Sequence, residues 1–483
     1  MQGICTRPQT GSQAFEYKYD SPIRQKGFQE TDIVSIVKPI TKYAVLCDDA
    51  KHLASELRKS VAIMTGGRKG PVVLDLPMNV QRAELTSEDM YSEAVMRTDK
   101  PNVDAKCDVQ AARDALCSAK RPLVVCGGGI SDKLANDAAK RFLNGSNLPY
   151  AVSLMGKGLV DEKNDRCVGM IGSYGNRCAN MAFAEADVVL ALGSRLDLRQ
   201  TGNRKSDLLK DKLFIRVDID GDELCESQLP RQMALKMDVS HFCNEVASLE
   251  INGSLASDEW ITRIKELKDA YSQEEDVRRH VKNKLPYEIM DFCAANAEED
   301  ALFVADIGQN QMWAAQAIRC GERQGFYTSG GMAPMGYAIP AAAGAAFANP
   351  KRQTLCFCGD GGMHISLQSL MLISQYGLPV SVIVFNNHAL GMITQFQSLY
   401  FNGNLAGTAR VGGYLVPSIR DIAAAYGLPY FKVASASQMT QRMLNGPALV
   451  EIDLGEELTT VVPKLQFNQD LDDMTPPFNQ EVT

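Results

Sequence analysis

Residues 353–393 read QTLCFCGDGGMHISLQSLMLISQYGLPVSVIVFNNHALGMI, and their order decides the fold. An apolar run meets the glycine-rich GDGG at 359–362, a helix-like segment follows, and a second apolar run, VSVIVF at 380–385, ends in the pair Asn386-Asn387. Strand, turn, helix, strand is the unit that builds parallel sheets, because parallel neighbours need a long crossover, usually helical. Both strands then end on one rim, the rim at which open α/β sheets bind ligands. An acid closing the first strand and amides closing the second suit a metal-bound diphosphate.

The residue types follow from that chemistry. Magnesium takes six oxygens in near-octahedral array, some of them from substrate phosphates. Asp360 offers a charged oxygen, Asn387 a neutral amide oxygen and Ala389 a backbone carbonyl. Gly359, Gly361 and Gly362 let the main chain approach phosphate closely, and N–H groups opening the next helix add attraction for an anion. A lone GDG is usually only a turn. Acid, helix and amide pair in this order say more.

Composition bounds the rest. The chain has 483 residues, 45% of them hydrophobic and 22% charged, which fits two to four globular domains. A net charge of −8 argues against nucleic acid and anionic membranes as partners. The 13 cysteines are scattered behind no secretory signal, so a reduced cytoplasm is the expected home. Cys356 and Cys358 alternate along one strand onto one face, where apolar packing is the expectation. No run reaches the ~18 apolar residues of a membrane span.

The alternation of apolar runs and helical segments predicts three consecutive doubly wound parallel-sheet α/β units. Residues 1–24 read as an irregular N-terminal segment. Residues 25–95 form a first, short unit with a helix near 49–64 and the buried-strand signature PVVLDLP. Residues 105–255 form a central unit, and after a charged linker near 258–284 a third unit spans 286–465. Residues 466–483 read as a tail draped on the surface. Two decoys lie in the central unit. Gly127-Gly128-Gly129 supports a strand-to-helix turn rather than a dinucleotide fingerprint. DIDGDE at 218–223 has its glycine too early for a calcium loop.

The GDG-to-NN arrangement is similar to the thiamine diphosphate motif. GQNQMWAAQ (308–316), TSGGMAPMGYAIPAAAGA (328–345) and NNHALGMITQFQSLYF (386–401) resemble the C-terminal domain of the acetolactate synthase (acetohydroxyacid synthase) large-subunit family. That resemblance implies a partial pyrimidine-binding domain, a central domain and a diphosphate-binding domain over about 25–465. It implies thiamine diphosphate with Mg2+, and it leaves room for a flavin, FAD, in the central unit. Gly308, Gln309 and Asn310 would touch the diphosphate, Met335 would hold the cofactor bent, and Met392 would lie nearby. Arg199 matches the arginine that binds a substrate carboxylate, with Arg195 preceding it, and a guanidinium fork suits that task. The implied chemistry is carbon–carbon ligation or lysis of a 2-oxoacid, pyruvate first, in a homodimer or homotetramer. Decarboxylation or oxidation of a 2-oxoacid is the nearest alternative.

Departures from the family matter as much. Phe396 stands where the synthases carry a tryptophan, and Ser173 and Tyr174 replace a methionine and a histidine, so the acceptor is expected to differ: a second pyruvate, an aldehyde or a keto-sugar. The family's activating glutamate belongs to the early part of the pyrimidine domain, of which residues 25–95 resemble only about half. Glu16 and Glu30 lack its context, and no catalytic residue is assigned. PVVLDLP is then expected to lack sheet neighbours. Three readings stay open: a fragment, a site completed by a separate chain, or a non-catalytic cofactor-binding protein.

Overall fold

The computed structural model describes residues 4–5, 8–9, 31–87, 89, 105–202, 209–226, 229–248, 255–457 and 459–480. They belong to two compact units, Met1–Val103 and Asp104–Thr483.

The first unit is a small parallel sheet built around one strand. Strands β1 (Ile4–Cys5), β2 (Pro8–Gln9) and β3 (Tyr43–Leu46) all pair in parallel with β4 (Val72–Pro77). β4 is the PVVLDLP run. It has partners on both sides, contrary to the expectation of a strand without neighbours, because two-residue strands near the start of the chain are too short to show periodicity. The helix Leu53–Thr65 falls where the 49–64 segment predicts one, and Leu53 and Leu57 pack on Cys47, Leu74 and Leu76.

The second unit holds two six-stranded sheets, each parallel throughout. The first contains β5 (Pro122–Cys126), β6 (Tyr150–Val152), β7 (Cys167–Met170), β8 (Val188–Leu192), β9 (Leu213–Asp218) and β10 (Gln232–Lys236), in the order β10-β9-β8-β5-β6-β7. The second contains β11 (Leu302–Ala305), β12 (Gly325–Tyr327), β13 (Thr354–Gly359), β14 (Val380–Asn386), β15 (Tyr430–Val433) and β16 (Ala448–Asp453), in the order β12-β11-β13-β14-β16-β15. The parallel α/β fold read from the sequence is therefore the fold observed. Every residue of β14 is buried, as helices on both faces of a parallel sheet require. Cys356 and Cys358 share one apolar cluster with Val382 and Val384.

The segment beyond residue 465 is not draped on the surface. Leu471 and Met474 are buried in the large core cluster or beside it. The buried Arg177 guanidinium binds Asp276 through two nitrogens and also donates to Met474 O (3.1 Å) and Pro476 O (2.8 Å). His280 Nδ1 lies 3.2 Å from Asp276 Oδ1, and the Phe478 ring packs over Arg177 and Tyr271. A buried guanidinium needs this many acceptors, and the late segment supplies two of them.

Candidate active site

In the second sheet β11 lies between β12 and β13, so the chain leaves β11 on one side and β13 on the other. That reversal is the topological switch point, where open α/β sheets leave a crevice. The pairing of Gly359 with Phe385 brings Asp360, just past β13, level with Asn386-Asn387 at the end of β14. A cavity of about 220 Å3 opens there. Its wall holds Gly308, Gln309, Asn310, Met335, Gly359, Asp360, Gly361, Gly362, Asn387, Ala389 and Met392, with Arg199 from the first sheet's side. Phe396 is elsewhere. One turn further along the helix Gly391–Tyr400, it lines a neighbouring apolar cavity of about 530 Å3 with Ser173, Leu198, Tyr400, Leu465 and Phe467.

Asp360 is the single carboxylate among the described residues of the smaller cavity's wall. Only 1% of its surface is exposed. Gly361 N–H donates to Oδ1 at 2.7 Å and the Tyr414 hydroxyl reaches the same oxygen at 3.3 Å, while Oδ2 is buried with no partner. Burial pushes the carboxyl up to about 6, and the N–H groups of Gly361, His388 and Ala389 with the Tyr414 hydroxyl pull part of that back.

Asn387 donates to Thr459 Oγ1 (2.9 Å), and its Oδ1 accepts from Ala389 N–H (3.3 Å). His388 between them has φ 51°, a left-handed conformation uncommon outside glycine, which folds the amide pair back on itself. Gln309 joins the same net, donating to Thr459 O (2.6 Å) and Gln395 Oε1 (3.0 Å). A Cβ on Gly391 would fall 2.1 Å from Gln309 Oε1 and so displace the Gln309 side chain from this net.

Sequence reasoning overlooked Asp306, Tyr414, Gln395 and Thr459. Asp306 is fully buried at the end of β11 and accepts from the N–H groups of Ile307 (2.7 Å), Gly336 (3.0 Å) and Ala338 (3.1 Å). It thereby fixes the turn that carries Met335. Its place after an apolar strand, like that of Asp360, was the available signal. Thr459 and Tyr414 had none, since they reach the rim only through the fold.

Arg199 borders the cavity from an exposed position, and its guanidinium has no hydrogen-bond or ion-pair partner among the described residues. Arg195 is paired with Asp197 (3.2 Å). Glu16 and Glu30 lie outside the described residues. The triple glycine serves packing at the other switch point: a Cβ on Gly127 would meet Gly193 O at 2.2 Å, and one on Gly129 would meet Gly193 Cα at 2.6 Å. In DIDGDE, Asp220 caps the short helix Gly221–Cys225 by accepting from Asp222 and Glu223 N–H. Among the described residues no group of three or more His, Cys, Asp or Glu could hold a metal, and no helix is long and apolar enough to cross a membrane.

Residues 306–452 match the family described as thiamine pyrophosphate enzyme, C-terminal TPP binding domain, and residues 109–246 match thiamine pyrophosphate enzyme, central domain. The acetolactate synthase isozyme 1 large subunit of Escherichia coli is 32% identical over 461 residues, covering 93% of this chain and 79% of that protein. The chain belongs to the acetolactate synthase large-subunit family. The acetolactate synthase large subunit of Parasynechococcus marenigrum is 31% identical over 91% of this chain and 72% of its own length. That of Lactococcus lactis is 29% identical, over 91% and 76%. The thiamine diphosphate enzyme domains of the family therefore coincide with the two six-stranded sheets, and the switch-point cavity lies in the C-terminal one.

Proposed function

We propose that the chain is a thiamine diphosphate- and Mg2+-dependent carboligase acting on a 2-oxoacid, pyruvate first. One observation carries the reading: a buried carboxylate at the switch point keeps one oxygen, Asp360 Oδ2, without a hydrogen-bond partner among the described residues. Leaving such an oxygen unsatisfied costs ~1–3 kcal/mol or more, and a cation would remove that cost. The donor set fits a hard cation, with the Asp360 carboxylate, the Asn387 amide and the Ala389 carbonyl as ligands and diphosphate oxygens completing six. Gly361 and Gly362 present main chain to the cavity, and both are held to glycine by close packing: a Cβ on Gly361 would strike Leu390, and one on Gly362 would lie 3.1 Å from the Asp306 carboxyl.

In this reading Gly308, Gln309, Asn310, Gly359, Gly361 and Gly362 hold the diphosphate. Met335, on the turn fixed by Asp306, and Met392 brace the cofactor. Bound thiamine diphosphate supplies the electron sink that loss of carbon dioxide from a 2-oxoacid requires. The Arg199 guanidinium, without a hydrogen-bond or ion-pair partner among the described residues, would clamp a substrate carboxylate with two parallel hydrogen bonds. Trp313 and Phe385, stacked edge to face at 5.5 Å, exclude water behind the cavity. Phe396 walls the larger apolar cavity and sets an acceptor different from that of the relatives.

Calorimetry of thiamine diphosphate binding with and without Mg2+, joined to an assay of pyruvate consumption and product identity, tests the proposal. Binding that depends on Mg2+ and products joining two carbonyl compounds are expected. Mg2+-independent binding, or none, would overturn it.

A further inference from the structure

The chain between the helix Gly391–Tyr400 and the helix Ile419–Ala425 returns over the rim of the cavity. Ala389 and Ala409 form an isolated antiparallel bridge; Leu390 N–H donates to Thr408 O (2.8 Å), and Tyr414 N–H donates to Ala409 O (3.1 Å). This clamp carries the Tyr414 hydroxyl to 3.3 Å from Asp360 Oδ1. The same hydroxyl, Met335 Cε and Leu390 Cδ2 close over Gly361, at 3.0, 3.2 and 2.7 Å from where a Cβ would sit.

Asp360 has two chemically identical oxygens in unequal surroundings. Oδ1 takes both hydrogen bonds that the carboxylate makes among the described residues, from the Gly361 N–H and the Tyr414 O–H, whereas Oδ2 makes none, the His388 and Ala389 N–H groups acting on the carboxylate without bonding it. With the N–H alone, rotation about the side chain exchanges the oxygens at the cost of one bond; with the hydroxyl, two must break.

We infer that Tyr414 is a positioning residue for the cation: its hydroxyl caps Asp360 Oδ1, fixes the carboxylate and leaves Oδ2 as the oxygen offered to the metal. The inference rests on the cation site proposed above. It adds a coupling, because Ala389, the proposed carbonyl ligand, is also the anchor of the loop that delivers Tyr414. Cation binding and the order of residues 405–414 are then linked.

The test is Mn2+ binding in excess thiamine diphosphate, followed by the magnetic resonance signal of free Mn2+, for the unaltered protein and Tyr414→Phe. The phenyl ring keeps the shape of the side chain and removes the donor together with the hydroxyl's contact over Gly361, which Met335 and Leu390 still cover. A Mn2+ dissociation constant raised roughly three- to tenfold is expected, as for loss of a hydrogen bond to a charged group. The cation-free variant loses the same hydrogen bond, so its melting midpoint is expected to fall by a few degrees with the transition still cooperative. Equal Mn2+ affinity in both proteins overturns the role of Tyr414 alone, as does weaker binding accompanied by a broadened, non-cooperative cation-free melt, which marks a packing defect. Failure of the unaltered protein to bind Mn2+ overturns the site itself. Hydrogen exchange on the unaltered protein gives an independent check. Mn2+ with thiamine diphosphate should slow exchange at the Leu390 and Tyr414 amides, and unchanged exchange there overturns the coupling.

Discussion

Replacing Asp360 by Asn separates what the carboxylate does for binding from what it does to stability, and the two effects have opposite signs. Asn keeps the shape and the Oδ1 acceptor for Gly361 N–H and the Tyr414 hydroxyl, but it carries no charge. Burial raises the Asp360 carboxyl from 3.8 to about 6. An acid whose folded value is raised disfavours the native state once it ionises: the cost is absent below the unfolded value and grows until pH passes the folded one. At pH 7 a rise of this size corresponds to ~3 kcal/mol. The Asn amide leaves a buried donor where Oδ2 was, which returns ~1 kcal/mol or more of that gain. The cation-free Asp360→Asn protein should therefore be more stable at pH 7 by about 1–2 kcal/mol and show little advantage at pH 4. Its Mg2+-dependent thiamine diphosphate affinity should fall more than tenfold, over ~1.4 kcal/mol. Thermal melts at both pH values and calorimetry measure the two quantities. A variant less stable than its parent at pH 7 would mean the carboxylate is already satisfied, and unchanged affinity would remove it from the ligand set.

Three further outcomes are expected. Arg177→Met leaves Asp276 buried with His280 as its one side-chain partner among the described residues and should cost roughly 3–5 kcal/mol, with faster proteolysis across 466–480; equal resistance would show that the late segment is held by other means. Lys464 is 9% exposed, has no ion-pair partner among the described residues, and is lowered by burial from 10.5 to about 8. A lysine so lowered destabilises the fold below pH 8 and less as pH rises toward the unfolded value, so Lys464→Met should stabilise by about 1–2 kcal/mol at pH 7, allowing for solvent at the chain end, and progressively less above pH 8 in melts. In active enzyme, Phe396→Trp narrows the larger cavity and should shift product ratios between competing acceptors by ~1–3 kcal/mol; identical ratios would exonerate Phe396.

The parallel sheets and the rim were legible because their signals are local. β13, its glycines and β14 are contiguous in sequence, and an acid and an amide at the ends of consecutive strands must meet. Asp306 was legible in principle by the same rule but lacked the glycine doublet that drew attention to Asp360. Tyr414 and Thr459 could not be read, because a loop bridge and a segment beyond β16 bring them in, and neither leaves a periodic trace. β1 and β2 escaped for want of length. The burial of Leu471 and Met474 escaped because proline-containing, acidic text carries the composition of a surface segment even when a buried arginine holds it by its carbonyls.

That arginine also sets a timetable for synthesis. Arg177 meets Asp276 99 residues later, and the carbonyls of Met474 and Pro476 297 and 299 residues later. At ~5–20 residues per second a ribosome supplies the carboxylate after roughly 5–20 s and the carbonyls only after roughly 15–60 s. Through that interval the nascent first sheet carries a guanidinium whose final acceptors do not yet exist. The sheet can assemble while the chain grows and Asp276 neutralises the guanidinium first, but the remaining N–H donors wait for the carbonyls of Met474 and Pro476, which makes this corner a place where a holding chaperone has something to protect.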